Sequence, residues 1–192
     1  MKKIVFATNN FNKLQEVREI LKDQYQVIGL KDLNFDQELA EDGDTFEKNA
    51  LQKAKFIAEK FKIACFAEDA GLEVQALNQD PGVFSARYAG NQRSDKDNIA
   101  LLLKNLEGIK NRKARFKAVI ALVDGQNTLY FDGIVNGRIS LAPIGSGGFG
   151  YDPVFIPDGY EDSFAQLGKD IKNSISHRAK AIKKLIDFLD KN

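Results

Sequence analysis

The sequence has one cysteine, one histidine and no tryptophan among its 192 residues. With Cys65 alone, a disulfide within the chain is impossible, and with His177 alone, a zinc site built from Cys and His ligands is nearly excluded. Any bound metal would therefore rest on carboxylates, which are ligands of magnesium, manganese and calcium. Cys65 lies inside an apolar run, and this position is typical of a small core residue rather than a nucleophile.

An excess of charge of one sign is also missing. The 28 basic and 27 acidic residues nearly cancel, which leaves a formal net charge of +1. Proteins that bind nucleic acid or a membrane surface usually carry a clear basic excess, so we expect neither partner. The apolar stretch in MKKIVFATNN is too short for a signal peptide, and no run approaches the ~20 apolar residues of a membrane span. We therefore expect a cytoplasmic protein.

The periodicity of the apolar residues predicts an α/β fold with a mixed sheet. Strand-like segments alternate with helical stripes early in the chain, and a hairpin comes late, around Asp124-Gly125. We expect Asp44 to open the second helix, with Glu47 completing a capping box, and Ser176 to cap the last helix. Because no linker or repeat interrupts the pattern, we expect a single domain over residues 1–192. The predicted strands are KIVFAT, YQVIGL, IACFAE, LEVQAL, ARFKAVIALV and TLYFDGIV.

TNNFNK (8–13) marks the point where the first strand passes into a helix. The first amides of a helix have no internal partners and favour an anion, and Lys13 adds a positive charge at the same place. The segment lacks the glycines and the GK[ST] ending of a Walker A loop. It therefore predicts either a phosphate-binding turn or an Asn-capped helix with a solvated lysine.

GSGGFG (145–150) contains the spacing G-x-G-x-x-G, but Pro153 and Pro157 forbid the helix that a dinucleotide-binding fingerprint needs. We reject that interpretation. The glycines instead allow a tight loop or a close approach to a ligand. Phe149 and Tyr151 either offer an aromatic face to a base or fill the core.

Two adjacent acids, Glu68 and Asp69, end what the pattern predicts to be a buried strand, and Glu41 lies in the preceding acidic loop. Three carboxylates can hold magnesium, which neutralises phosphate charge. The alternative is a turn with solvated acids. Asn49 and Lys53 share one face of the second helix, a weak signal by itself.

Taken together, these motifs resemble the inosine triphosphate pyrophosphatase family, which acts on non-standard purine nucleoside triphosphates. The match follows the order of the family's motifs and spans nearly the whole chain. GGFGYDP together with SHR is the most specific part. The matching segments are TNNFNK (8–13), EDGDTFEKNA (41–50), EDAGL (68–72), PGVFSARY (81–88), GGFGYDPVF (147–155) and KNSISHR (172–178).

The resemblance implies a fold and an activity. The fold would be a long mixed central sheet with helices that form two lobes around a nucleotide-binding cleft. The enzyme would hydrolyse ITP, dITP or XTP to the monophosphate and pyrophosphate, and so cleanse the nucleotide pool. It would use Mg²⁺ and work as a homodimer.

The resemblance also implies roles for individual residues. Asp69 would accept a proton from the attacking water, and Lys13 and Lys53 would stabilise the pyrophosphate charge, so these three are the catalytic candidates. Glu41 and Asp69 would bind magnesium, with Glu68 as a third candidate. The substrate-binding candidates are Thr8, Asn9, Asn10, Phe11, Asn12, Lys13, Ala70, Phe149, Gly150, Tyr151, Asp152, Lys172, His177 and Arg178.

Within that last group the implied contacts differ. Phe149 would stack on the base, while His177 and Arg178 would donate to its ring carbonyl. Thr8 to Lys13 would hold the triphosphate, joined by Lys172. The family commonly has DDSGL where this chain has EDAGL, so Ala70 can offer only its backbone amide.

Two other functions remain open at this stage. One is a related pyrophosphatase that acts on modified pyrimidine nucleotides. The other is a nucleotide-binding regulator without turnover, for which the Ala70 departure is the only indication.

Overall fold

A computed structural model describes residues 2–191. Its strands are β1 (Lys2–Phe6), β2 (Tyr25–Ile28), β3 (Cys65–Val74), β4 (Lys113–Asp124), β5 (Asn127–Ile139) and β6 (Phe155–Pro157). Its α-helices are α1 (Phe11–Leu21), α2 (Phe46–Phe61), α3 (Asp95–Asn105), α4 (Phe164–Ile175) and α5 (His177–Leu189). No helix in this part of the chain is long and apolar enough to cross a membrane.

The strands form one sheet in the order β2-β1-β3-β4-β5-β6. Strand β1 runs parallel to β2 and β3, with Val5 opposite both Ile28 and Cys65. Strand β5 runs antiparallel to β6, with Ile139 opposite Phe155. The predicted α/β fold with a mixed sheet is therefore confirmed. The last residue of β1, Phe6, lies opposite Phe66, and the amide of Ala7 donates to the carbonyl of Phe66 at 2.8 Å, so the chain leaving β1 comes close to the first half of β3.

The chain divides into two compact units. Unit 1 comprises residues 1–69, 118–133 and 178–192, and unit 2 comprises residues 70–117 and 134–177. The core of unit 1 packs α2 on the sheet, with Ala50, Ala54 and Ile57 fully buried together with Cys65 and Ala121. The core of unit 2 includes Leu72, Leu102, Phe116, Phe155 and Phe164.

Strand β3 differs from its prediction. The sequence predicted two strands, IACFAE ending at Glu68 and LEVQAL beginning at Leu72, but a single strand runs through both acids from Cys65 to Val74. Both acidic side chains are buried. A strand need not end at buried acids when cations meet them, and periodicity does not show where those cations are.

Two helix predictions also differ. Helix α2 is capped by Thr45, whose hydroxyl accepts from the amide of Lys48, and not by Asp44. Helix α4 was not predicted, because Gly168 interrupts it with a left-handed φ of 77°. Ser163 and Gln166 form a capping box at its start.

Candidate active site

The turn between β1 and α1 is held in shape by its own side chains. Asn10 caps α1, and its Oδ1 accepts from the amide of Lys13 at 3.0 Å. The amide of Asn10 donates to the hydroxyl of Thr8 at 3.1 Å. The start of α1 thus presents backbone amides and a lysine at one place, which suits an anion such as phosphate.

The remaining residues of TNNFNK behave differently. Asn9 donates from Nδ2 to the carbonyl of Gln37 at 2.9 Å and accepts from the amide of Leu39 at 2.9 Å. It therefore fastens the acidic loop to the turn. Phe11 is 69% exposed and Asn12 is also exposed, so neither contributes to the core.

Helix α2 directs two buried polar side chains toward the middle of β3. Asn49 and Lys53, one turn apart, are 1% and 5% exposed. The ammonium of Lys53 lies 2.5 Å from Oε1 of Glu41, 2.8 Å from the carbonyl of Glu68 and 4.0 Å from Oδ1 of Asp69. The Lys53 ammonium therefore links the acidic loop to β3.

Asp69 is a buried carboxylate whose orientation is set by an amide. Asn49 donates from Nδ2 to Oδ2 of Asp69 at 2.9 Å, and its own Oδ1 accepts from the amide of Gly43 at 2.7 Å. Burial raises the pKa of Asp69, and Lys53 and Lys13 only partly oppose this shift. An oriented carboxylate with a raised pKa is suited to accept a proton from water.

Glu68 is paired with a buried arginine. Its carboxylate accepts from Nε and Nη2 of Arg178 at 2.7 and 2.8 Å, while Glu16 pairs with Nη1 of the same guanidinium. Lys13 lies 3.3 Å from Oε1 of Glu68. Burial lowers the pKa of Arg178, but the Glu68 and Glu16 carboxylates outweigh it and hold that pKa above its ordinary value.

The fit of these acids to magnesium rests on Glu41 and Asp69. Within residues 2–191, no group of three or more Asp, Glu, His or Cys side chains is arranged to hold a metal. Both oxygens of Glu68 accept from Arg178, so this carboxylate is already paired with a cation. Magnesium commonly takes one or two carboxylates and completes its shell with water and phosphate. The ammonium of Lys53, between Glu41 and Asp69, shows that this place stabilises positive charge.

In unit 2, the glycine-rich loop is organised by Asp152. Oδ2 of Asp152 accepts from the amide of Phe149 at 2.9 Å and from the ammonium of Lys172 at 2.5 Å. That ammonium lies 4.5 Å from the centroid of the Phe149 ring, within the range of a cation–π interaction. Gly148 has a φ of +74°, and a Cβ there would lie 2.0 Å from Oδ2 of Asp152. Only glycine fits at this position.

Tyr151 and His177 are both buried in unit 2. The hydroxyl of Tyr151 donates to the carbonyl of Ser85 at 2.9 Å, and burial raises the pKa of that hydroxyl. The imidazole of His177 stacks on Phe116, with 4.8 Å between ring centroids. No helix follows the glycine loop directly, which confirms the rejection of the dinucleotide fingerprint.

The structure thus gathers the predicted residues in two sets. Unit 1 brings together Asn10, Lys13, Glu41, Lys53, Glu68, Asp69 and Arg178. Unit 2 brings together Phe149, Asp152 and Lys172, while Ala70 lies half-buried in β3.

Sequence reasoning did not assign two further residues that contact the unit 1 set, Asn49 and Glu16. Asn49 was visible as a helix-face partner of Lys53, but nothing local indicated Asp69 as its target. Glu16 gave no signal, because Arg178 is far away in the sequence.

Comparison with known proteins gives concordant matches. A model of the Ham1 family matches residues 4–188. A Porphyromonas gingivalis protein named dITP/XTP pyrophosphatase is 47% identical over 98% of both chains. The structure of the Staphylococcus aureus Ham1 protein superposes with a TM-score of 0.89, at 42% identity over 99% of both chains. A HAM1 protein from Coxiella burnetii gives a TM-score of 0.90, at 37% identity over 100% of both chains.

Proposed function

The chain belongs to the Ham1 family, and we propose that it hydrolyses non-standard purine nucleoside triphosphates to the monophosphate and pyrophosphate. The proposed substrates are ITP, dITP and XTP, whose removal cleanses the nucleotide pool. The observation that carries the proposal is Asp69, a buried carboxylate with a raised pKa, oriented by Asn49 beside Lys53. We take residues 1–192 as one catalytic domain.

The phosphate-binding part of the proposal rests on unit 1. The amides at the start of α1 and the ammonium of Lys13 would bind the triphosphate, with the Asn10 cap holding the turn in its binding shape. Lys53 would add a second positive charge. These groups are held by contacts within the protein, so they would stabilise the leaving pyrophosphate with little reorganisation.

The chemical step would use Asp69 as the proton acceptor. A water attacks the α-phosphorus and gives a proton to the Asp69 carboxylate, while the bond from the α-phosphorus to the bridging oxygen breaks. Pyrophosphate leaves with the electron pair of that bond. The donor from Asn49 would hold Asp69 in the orientation needed for this transfer.

We propose Mg²⁺ as the cofactor, held by Glu41 and Asp69. When bound, magnesium neutralises phosphate charge and lowers the pKa of a coordinated water. Glu68 would be the third candidate ligand, and it would also anchor Lys13 and Arg178.

The base-recognition part of the proposal rests on Phe149 and its neighbours. Phe149 would stack on the purine, while Gly150, Tyr151 and Asp152 would line its edge. We propose that Lys172, placed by Asp152 against the Phe149 ring, contributes to substrate binding there.

Purine selectivity would come from donors aimed at the 6-carbonyl. We propose His177 and Arg178 as these donors, with Glu68 and Glu16 holding the guanidinium in place. A site that leaves such donors unpaired against the adenine amino group can discriminate by about 10⁴.

We also propose a homodimer that works in the cytoplasm, where a nucleotide-pool enzyme meets its substrates. Light scattering coupled to size exclusion would measure the mass. A mass near the 21.4 kDa of one chain would contradict the dimer.

Pyrophosphate release from a panel of triphosphates with Mg²⁺ tests the function. Release from ITP, dITP and XTP but little from ATP, dTTP or UTP is expected. A preference for pyrimidine triphosphates would favour the pyrimidine enzyme instead, and tight binding without product would favour a regulator. The Asp69→Asn variant is the control, and we expect its turnover to fall by about 10²–10⁴.

A further inference from the structure

Two successive backbone amides in the glycine loop are bound by carboxylates from different elements. The amide of Phe149 donates to Oδ2 of Asp152 at 2.9 Å. The next amide, that of Gly150, donates to Oδ2 of Asp95 at 2.7 Å. Asp152 belongs to the loop's own continuation, whereas Asp95 is the first residue of α3 and lies 55 positions away.

The position of Asp95 at the start of α3 suggests a simpler role, that of stabilising the helix, but this role does not explain its hydrogen bond to the glycine loop. An acid in the first turn of a helix favours the helix dipole, and both Asp95 and Asp97 stand in the first turn of α3. Ser94 already caps this helix through the amide of Asp97. Asp97 points to Gln92, whereas Asp95 reaches out of its helix to the amide of Gly150.

The glycine loop needs contacts from outside it to keep one conformation, because its glycines allow many backbone conformations. Gly145, Gly148 and Gly150 all have φ in the left-handed region, at 82°, 74° and 60°. Glycines lose more conformational freedom on ordering than other residues, so such a loop is costly to keep in one shape. Asp152 restrains the loop before Phe149, and Asp95 restrains it directly after.

We propose that Asp95 is a positioning residue for base recognition, acting through the Gly150 amide to set the orientation of Phe149. This inference rests on the proposed function, in which Phe149 stacks on the purine. Asp95 itself does not touch the substrate. A carboxylate on a backbone amide is a charge-assisted hydrogen bond, which is stronger than a neutral one.

The first test is steady-state kinetics on ITP with Mg²⁺. Asp95→Ala is expected to raise KM by roughly tenfold while kcat stays within about twofold, because the base is held less well and the phosphate chemistry is unchanged. Asp95→Asn keeps an oxygen acceptor for the Gly150 amide and is expected to recover most of the lost affinity. Equal KM values for wild type and Asp95→Ala would overturn the inference.

Asp97→Ala is the matched control. It removes the same charge from the same helix turn without touching the loop, so its KM is expected to match wild type. A rise in KM equal to that of Asp95→Ala would mean that helix charge is the cause, and would overturn the inference. Thermal melting of both variants checks that α3 is equally stable in each.

A double-mutant cycle with Phe149→Ala shows whether Asp95 acts through the ring. If it does, Asp95→Ala adds little to the KM of Phe149→Ala, whereas a merely structural effect would add in full. Full additivity would overturn the inference and leave the proposed function intact. If wild type releases no pyrophosphate from any purine triphosphate, the proposed function itself fails, and this inference falls with it.

Discussion

Glu68 is a fully buried carboxylate with a specific set of cationic neighbours. It accepts two hydrogen bonds from Arg178, which is itself 1% exposed, and Lys13 lies at 3.3 Å. Removing both charges from water costs several kcal/mol per ion. The two parallel hydrogen bonds between the guanidinium and the carboxylate offset that cost. At the scale of single residues, the two adjacent acids of β3 thus have different contacts. Glu68 holds cations, and Asp69 faces Asn49 and Lys53.

Replacing Glu68 by alanine should destabilise the fold strongly. The variant leaves the Arg178 guanidinium buried with Glu16 as its remaining described carboxylate, and breaking such a pair costs about 3–5 kcal/mol. Urea denaturation followed by circular dichroism measures the change in the free energy of unfolding.

The matched control for that change is Glu161→Ala. Glu161 also pairs with an arginine, Arg138 at 2.7 Å, but its side chain is 93% exposed. Exposed pairs contribute little, so a loss within about 1 kcal/mol is expected. Similar losses in both variants would contradict the distinction between buried and exposed pairs.

Among the elements, α2 supplies two buried polar side chains to the unit 1 site. Its buried face combines apolar residues with Asn49 and Lys53, so the packing that holds the helix also aims both polar side chains. The helix begins after Thr45, one residue later than the sequence pattern indicated. Asp44 instead forms an exposed ion pair with Lys48 at 2.7 Å.

Thr45→Ala should therefore cost about 1 kcal/mol of stability, the usual effect of losing an N-cap. Asp44→Ala should leave the free energy of unfolding nearly unchanged, because an exposed pair spaced four residues apart contributes little. Denaturation of the two variants side by side measures both. A larger loss of stability in Asp44→Ala than in Thr45→Ala would mean that Asp44 caps the helix.

The glycine loop permits a second test at the scale of elements. In Gly148→Ala the new Cβ would meet Oδ2 of Asp152 at 2.0 Å, so we expect the contacts of Asp152 with Phe149 and Lys172 to break. The KM for ITP should rise by roughly tenfold or more, if base stacking contributes about 1–3 kcal/mol.

Gly159→Ala is the control for backbone strain. Gly159 also has a positive φ, of 86°, but nothing lies within 4 Å of the position of its Cβ. This variant should share the strain but keep the wild-type KM. An equal rise in KM in both variants would mean that strain, and not the Asp152 contact, is responsible.

For the whole molecule, ligand binding should appear as added thermal stability. In the Asp69→Asn variant, which should consume its ligand only slowly, ITP at 100 times its Kd is expected to add about 2.7 kcal/mol. For a chain of this size that corresponds to a rise in Tm of roughly 5–11 °C. Differential scanning calorimetry with Mg²⁺ measures the shift. UTP at the same concentration should give a much smaller one, and a larger shift with UTP would favour the pyrimidine alternative.

Much of the architecture was predictable because it depends on local pattern. Leu14, Val17 and Leu21 share one face of α1. The segment KIVFAT, which precedes that helix, has the pattern of a short buried strand. The same locality explains the failures. Helix α4 was missed because Gly168, within it, breaks the apolar stripe, and β3 was divided because two acids were expected to end a strand.

The sequence by itself determined the fold class, excluded a disulfide within the chain and supplied the residue types that we propose for phosphate, metal and base. These depend on composition and on neighbours a few positions apart. Only the tertiary structure decided which donor each buried or looped carboxylate meets. Glu68 bonds to Arg178, 110 positions away. Asp69 bonds to Asn49, 20 positions away, and Gly150 bonds to Asp95, 55 positions away. The reason is physical: charge pairs form where folding places them, and one sheet brings together segments that no local periodicity connects.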